Sequence, residues 1–168
     1  MEDEELFEAL KFSKLQVETF KLSKSKAHIV QYSYKGAFSS PLTSMELFLS
    51  ENYSCTLYFS FYNETSWNFL EKKLIIDLPE HLCFLASRLL KENFSRLSLR
   101  YPKNHKNILD WKSETYKFRL EAEEKYIILG FPDVKNRDFK NSTEVAFYRF
   151  HKKLNKWMFD NYKIVSSK

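Results

Sequence analysis

One stretch of sequence decides the fold class: Cys55-Thr56-Leu57-Tyr58-Phe59-Ser60-Phe61-Tyr62. Every second side chain, beginning with Cys55, is apolar and points to one face of an extended chain. The alternate positions, beginning with Thr56, carry hydroxyl groups and point to the other face. This strict alternation predicts a β-strand that buries one face.

Strand-like segments lie on both sides of this stretch. Residues 27–34 and 115–121 also alternate, residues 72–77 contain a short β-branched run, and residues 125–131 indicate a more fully buried strand. Residues 15–22 fit either a bulged strand or a helix. The strands therefore fall into hairpin-linked pairs.

Four helices are predicted, over residues 3–12, 43–49, about 78–97 and about 142–164. The second is expected because Thr43 or Ser44 could cap a short helix through Leu49, and the other three from the helical spacing of apolar residues. Asp77 with Glu80 forms a variant of the capping box before the third helix. Asn141 with Glu144 forms a second such pair before the fourth. Strand pairs interspersed with helices indicate an α+β protein. We therefore expect residues 1–168 to form a single domain, with an antiparallel sheet of hairpin-linked strands packed against about three or four helices.

The composition excludes several function classes. Gly36 and Gly130 are the only glycines among 168 residues, so no glycine-rich phosphate loop, dinucleotide fingerprint or nucleophile elbow is present. Turns must therefore rely on residues such as Asn, Asp and Ser. Cys55 and Cys83 are too few for a zinc site of four cysteines, and we expect both to be buried free thiols. No cofactor or metal is expected.

The compartment is also indicated by the sequence. No apolar stretch is long enough to cross a membrane, and the first residues are acidic, where a secretory signal would be basic and then apolar. We therefore expect a cytoplasmic protein that does not bind membranes.

Charge is divided unevenly along the chain. Residues 1–87 hold 8 basic and 12 acidic residues, for a net charge of −4, whereas residues 88–168 hold 19 and 10, for a net charge of +9. A one-sided basic field favours an anionic partner, although basic residues also solvate the outside of a sheet or helix. The candidate partner-binding residues are the cations and aromatics of this half: Arg96, Arg100, Lys103, His105, Lys106, Trp111, Lys112, Lys117, Arg119, Arg149, Lys152, Lys153 and Lys156.

No catalytic group emerges from the histidines. Arg100 and His105 have the spacing at which some ribonucleases place two side chains on one phosphate, but Pro102 between them breaks the helix that this geometry needs. The acidic residues Glu121, Glu123 and Glu124 are more typical of a solvated turn than of a metal site.

These observations favour a non-enzymatic protein-binding module over two alternatives. Such a module, for example an immunity protein or an inhibitor of a toxin, would occlude a partner protein with an acidic surface. The first alternative is a basic domain that binds single-stranded nucleic acid, because its cations are interleaved with aromatic residues on which bases could stack. The second is a small metal-free nuclease that depends on His105.

Overall fold

A computed structural model describes residues 28–36, 40–101, 113–120, 123–129 and 138–167 of the chain. Its strands are β1 Val30–Lys35, β2 Leu42–Leu49, β3 Ser54–Tyr62, β4 Phe69–Asp77, β5 Arg100–Tyr101, β6 Ser113–Leu120 and β7 Glu123–Leu129. The α-helices of the described part are α1 Glu80–Lys91 and α2 Ser142–Ser166, and a 3-10 turn covers Phe94–Arg96.

All seven strands form one sheet in the order β4-β3-β2-β1-β6-β7-β5. β1 to β4 follow one another as antiparallel neighbours, and β6 then pairs with the free side of β1. β5 is parallel to β7, because the chain reverses direction once to form β6 and again to form β7. The sheet is therefore mixed.

The predicted fold class is wrong in two respects. The sheet is not antiparallel throughout, and the described residues contain two α-helices where about three or four were expected. Residues 43–49 belong to strand β2, not to a helix, because Met45, Leu47 and Leu49 alternate into the core while the backbone pairs with β1 and β3. The expectations for residues 3–12 and 15–22 lie outside the described residues.

The boundaries of both helices follow from local chemistry. α1 begins after Pro79, two residues later than a cap at Asp77 would place it. It ends before the 3-10 turn that the Asn93 side chain caps. At the start of α2 the predicted capping box is confirmed, since Asn141 and Glu144 each bond the backbone of the other.

One face of the sheet is covered by both helices. α2 lies across the centre of the sheet, where Phe147 packs edge-on against Tyr116 of β6 with ring centroids 5.1 Å apart. Farther along α2, Phe159 meets Tyr34 of β1 in the same way at 5.3 Å. The alternation around Cys55 is confirmed, because the apolar set of β3 is buried on this face and the other set is at least partly exposed. Neither helix in the described part carries the long apolar run that crossing a bilayer requires.

The turn between β1 and β2 depends on Gly36. Its N–H donates to the carbonyl of Thr43 at 2.8 Å, and a Cβ added at Gly36 would overlap the backbone carbonyl oxygen of Leu42. A backbone atom cannot rotate away from such a clash, as the end of a flexible side chain could.

We therefore expect Gly36→Ala to lower the free energy of unfolding by about 1–3 kcal/mol, because β1 and β2 must separate to admit the methyl group. Urea unfolding followed by circular dichroism measures the change. Ser33→Ala, on the solvent side of the same strand, is the control and should change stability by less than about 0.5 kcal/mol. An equal effect of both variants would contradict the steric explanation.

Candidate interaction surface on the open face of the sheet

The side of the sheet opposite the helices, called here the open face, is lined by alternate residues of the strands. The register places Glu46 of β2 beside Tyr58 of β3, which lies beside Lys73 of β4. On the other side of the sheet centre, Lys117 of β6 lies beside Tyr126 of β7. No described helix covers these side chains.

Exposed apolar side chains are concentrated on the open face and on the hairpin that joins β3 to β4. The described residues include eight large hydrophobic side chains that are exposed, and six of them lie there: Tyr58, Tyr62, Trp67, Phe69, Ile75 and Tyr126. Large exposed apolar side chains that are concentrated on one part of a monomeric protein often mark a surface used for binding. Tyr and Trp are also the residues that most often dominate the energy of protein interfaces.

Ring contacts order part of this surface. The ring of Phe48 lies 5.1 Å from that of His28 and 5.8 Å from that of Tyr58, in the second case edge-on. The ammonium group of Lys73 lies 5.8 Å from the centre of the Tyr58 ring, within the range of a cation–π contact. These contacts hold the side chains of His28, Phe48, Tyr58 and Lys73 against one another, and the four together are called here the aromatic platform.

Three shallow grooves meet on the platform at Glu46. One, of about 380 Å³, lies between Phe48 and Tyr126. The second, of about 360 Å³, lies along His28 and Tyr58, and the third, of about 390 Å³, reaches the edge strand β4. Glu46 lines all three and is only partly exposed, and no described residue forms an ion pair or a side-chain hydrogen bond with its carboxylate. Within the described ranges, the centre of the open face thus presents a carboxylate without an ion-pair partner among aromatic rings.

The hairpin between β3 and β4 holds Trp67 in a strained conformation. The Asn63 side chain accepts hydrogen bonds from the backbone N–H groups of Thr65 and Ser66, and Trp67 N–H donates to the Asn63 carbonyl. This turn gives Trp67 a φ of 57°, in the left-handed region that bulky residues seldom adopt. Its side chain is nevertheless 69% exposed, so packing in the core does not compensate for the strain.

Two of the predicted partner-binding residues lie on the open face and are already paired. Lys117 and Arg119 of β6 both bind the carboxylate of Glu124, at 3.0 and 2.9 Å. The hydrogen bond from Lys117, followed by that from Arg119, lowers the pKa of Glu124 below its ordinary value. Arg100 alternates with buried Tyr101 in β5, which directs it to the same side.

The remaining predicted residues are divided. An exposed basic row on α2 lies on the opposite side of the molecule and consists of Arg149, Lys152, Lys153 and Lys156. Arg96 binds Ser142 at the start of that helix, and Lys156 pairs with Asp160. Lys103, His105, Lys106, Trp111 and Lys112 lie outside the described residues. The structure therefore does not bring the described members of the predicted set together on one face.

A second group of polar residues is buried between α2 and the sheet. The His151 ring lies with Nε2 3.3 Å from Glu114 and Nδ1 2.7 Å from the Tyr116 hydroxyl. One turn along α2, the Asn155 amide donates to both Glu114 and the Tyr32 hydroxyl at 3.0 Å. The sequence does not reveal this cluster, because its members come from three segments that carry no common local pattern.

This buried cluster has a structural role and is called here the buried junction. Burial, followed by the charge of Glu114, raises the pKa of Tyr32 well above its ordinary value, and burial is also the main cause of the raised pKa of Tyr116. Both hydroxyls therefore keep their protons at neutral pH, and that of Tyr32 donates to Glu114 at 3.3 Å. His151 and Glu114 are 7% and 8% exposed, which leaves little room for a substrate to reach them. The cluster fixes α2 to β1 and β6.

Other reactive groups in the described residues also belong to the interior. Burial raises the pKa of the Cys55 thiol to about 12, so the thiol is not a nucleophile at neutral pH. In that part of the chain, no three His, Cys, Asp or Glu side chains are grouped as metal ligands would be.

The apolar residues of the open face were partly visible in the sequence. The alternation of β3 places Tyr58 and Tyr62 opposite the core face, and this is confirmed. Their association with Phe69 and Ile75 depends on which strand lies at the sheet edge, and alternation carries no information on strand order.

Comparison with protein-family models, curated proteins and solved structures finds no match to this chain.

The buried junction predicts a large effect of removing one partner. His151→Ala should lower the free energy of unfolding by about 3 kcal/mol, because Glu114 and Tyr116 lose a partner in a region that water does not reach. Urea unfolding measures this. Lys152→Ala, at the next and exposed position of α2, should lower it by less than about 0.5 kcal/mol. Equal stabilities of the two variants would show that the cluster does not hold the helix.

Proposed function

We propose that this protein is a non-enzymatic protein-binding module and that its open face docks onto a partner protein. The partner surface presents apolar side chains around a Lys or Arg side chain that meets Glu46. The observation that carries this proposal is the concentration of exposed aromatic and aliphatic side chains on the open face and its adjoining hairpin. Interfaces of this composition derive most of their binding energy from a few Tyr, Trp and apolar anchors.

The charges of the open face support a protein partner over a nucleic acid. Carboxylates are interleaved with the cations of this face, and Glu124 already neutralises part of the charge of Lys117 and Arg119. If a nucleic-acid strand lay across the aromatic platform, its sugar–phosphate backbone would pass Glu46, and the carboxylate would repel a phosphate there. A cationic side chain from a protein, in contrast, would gain a charge-assisted hydrogen bond.

In this proposal the module acts by occlusion, which means that it covers the working surface of its partner. An immunity protein or toxin inhibitor that covers its partner's working surface needs a rigid face and no catalytic group. The seven-stranded sheet supplies such a face, because its strands are held by helices on the reverse side. Cytoplasmic location remains part of the proposal and is consistent with the buried free thiols of Cys55 and Cys83.

Partner capture with matched variants tests the proposal. Tagged protein is used to isolate stoichiometric partners from the native host, and the identified partner is then purified and titrated. Tyr58→Ser and Glu46→Gln should each weaken its affinity, Tyr58→Ser by about 30-fold, because an interface anchor contributes about 2 kcal/mol or more. The complex should persist in high salt, because its contacts are mainly apolar.

The control carries charge reversals on the helix side, at Lys152 and Lys153. Lys152→Glu with Lys153→Glu should leave the affinity unchanged. If this variant abolishes binding while Tyr58→Ser does not, the interface is the basic row of α2, with an acidic partner. If oligonucleotides bind with a steep dependence on salt and the partner does not, the module binds nucleic acid.

Trp67 allows stability and binding to be separated. A glycine at this position relieves the left-handed strain, so Trp67→Gly should raise the free energy of unfolding by about 1 kcal/mol. The same substitution removes an exposed anchor and should weaken partner affinity by more than about tenfold. Urea unfolding and titration with the purified partner measure the two effects. Trp67→Phe keeps both the strain and a ring, so it should leave stability unchanged and weaken binding less. Unchanged affinity of Trp67→Gly would remove this hairpin from the interface.

A further inference from the structure

Strand β4 forms a long edge that no described strand covers. It pairs with β3 along all nine residues from Phe69 to Asp77, and it is the last strand in the order of the sheet. The opposite edge is formed by β5, which is only two residues long. Short edge strands discourage pairing with other chains, whereas long ones promote it. The two edges of this sheet therefore differ in what they can bind.

The hydrogen-bonding groups on the free side of β4 follow from the register. Asn63 N–H donates to the Asn68 carbonyl at one end of the β3–β4 pair, and Leu78 N–H donates to the Tyr53 carbonyl at the other. Residues of an antiparallel strand direct their backbone groups alternately to one neighbour and to the other. The even-numbered residues 70–76 therefore bond to β3. The odd-numbered residues 69–75 direct their N–H and C=O groups outward.

The side chains at these outward positions run from apolar through charged to apolar along the strand. They read Phe69, Glu71, Lys73 and Ile75, and all four lie on the open face with Tyr58. Phe69 and Ile75 are 48% and 64% exposed. An apolar residue thus stands at each end, with one acidic and one basic residue between them.

We propose that two copies of this chain pair through β4, antiparallel across a two-fold axis at Lys72. In this register Phe69 lies opposite the partner subunit's Ile75, and Glu71 lies opposite the partner subunit's Lys73. Each contact occurs twice, as the symmetry of such an interface requires. On the helix side of the strand, Leu70 meets the partner subunit's Leu74. The two sheets become one, with both open faces on the same side.

Neighbouring registers lack this complementarity. The outward backbone groups restrict the pairing to shifts that keep odd-numbered residues opposite one another. The next register in one direction places Glu71 opposite its own copy, and the next in the other direction places Lys73 opposite its own copy. Like charges directly opposite each other destabilise a strand pair, and opposite charges stabilise it. In the proposed register Lys72 meets its copy on the axis, and the two Glu71–Lys73 pairs offset this single like-charge pair, whereas neither neighbouring register contains a Glu–Lys pair.

Charge reversal and charge exchange test the interface. Sedimentation equilibrium of the full chain should give a mass of twice 20.3 kDa at micromolar concentration. Glu71→Lys and Lys73→Glu should each weaken self-association by about tenfold or more, because each substitution creates two like-charge pairs across the axis. Combining Glu71→Lys with Lys73→Glu should restore the dimer. Glu80→Lys, an equal charge change at the start of α1, should leave it intact.

Hydrogen exchange supplies an independent readout, since it reports on single amides. The amides of Phe69, Glu71, Lys73 and Ile75 should become protected as the concentration rises, whereas those of the even-numbered residues are protected throughout. A monomer at all concentrations would overturn the inference, as would a dimer that neither single reversal weakens. Protection of the outward amides at every concentration would show that the same chain covers this edge, and would also overturn it. None of these outcomes depends on the partner in the proposed function, because the experiments contain this chain alone.

Discussion

The hydrogen-bonded contact between His151 and Glu114 is the constraint on which the arrangement of the molecule depends. Aromatic rings fill the space between α2 and the sheet, but apolar contacts alone tolerate sliding of one layer over the other. A buried carboxylate does not, because its desolvation is offset only where the donors of His151, Asn155 and Tyr32 all meet it. No buried side-chain nitrogen or oxygen atom of the described residues lacks a hydrogen-bond partner. The observed position of α2 on the sheet therefore lets every buried polar group of the cluster form a hydrogen bond.

Placing both helices on one side determines what the other side can do. The helices bury the apolar residues of β1, β2, β3 and β6, and this interior is sufficient to hold the strands together. The open face is therefore not needed for a second core. Its aromatic residues pack against one another at the surface, as Tyr62 does against Phe69 with ring centroids 5.3 Å apart. A sheet that helices hold on one side, with aromatic side chains exposed between charged ones on the other, is suited to binding without rearrangement.

Local patterns in the sequence predicted local features of the structure. The alternation of β3 and the capping box at Asn141 were both correct, because each depends on residues within a few positions of one another. A possible cap at Thr43 or Ser44 favours a helix over residues 43–49, whereas pairing with a strand on each side decides for β2. The order of strands, the parallel β5 and the grouping of His151 with Glu114 arise from distant contacts. The open face was visible only in part for the same reason, since strand order determines which alternate residues become neighbours.

The long span of the buried junction also affects how the chain acquires its structure. The hydrogen bond from Asn155 to Tyr32 joins residues 123 positions apart, and β1 cannot gain its second neighbour until β6 exists. Proteins dominated by such distant pairings fold slowly, because the entropy of loop closure opposes them before any contact compensates. During synthesis, the hairpins β1 to β4 emerge well before α2, the helix that must cover them. The growing chain therefore exposes the part of this half-sheet that α2 covers to other molecules until α2 has been synthesised.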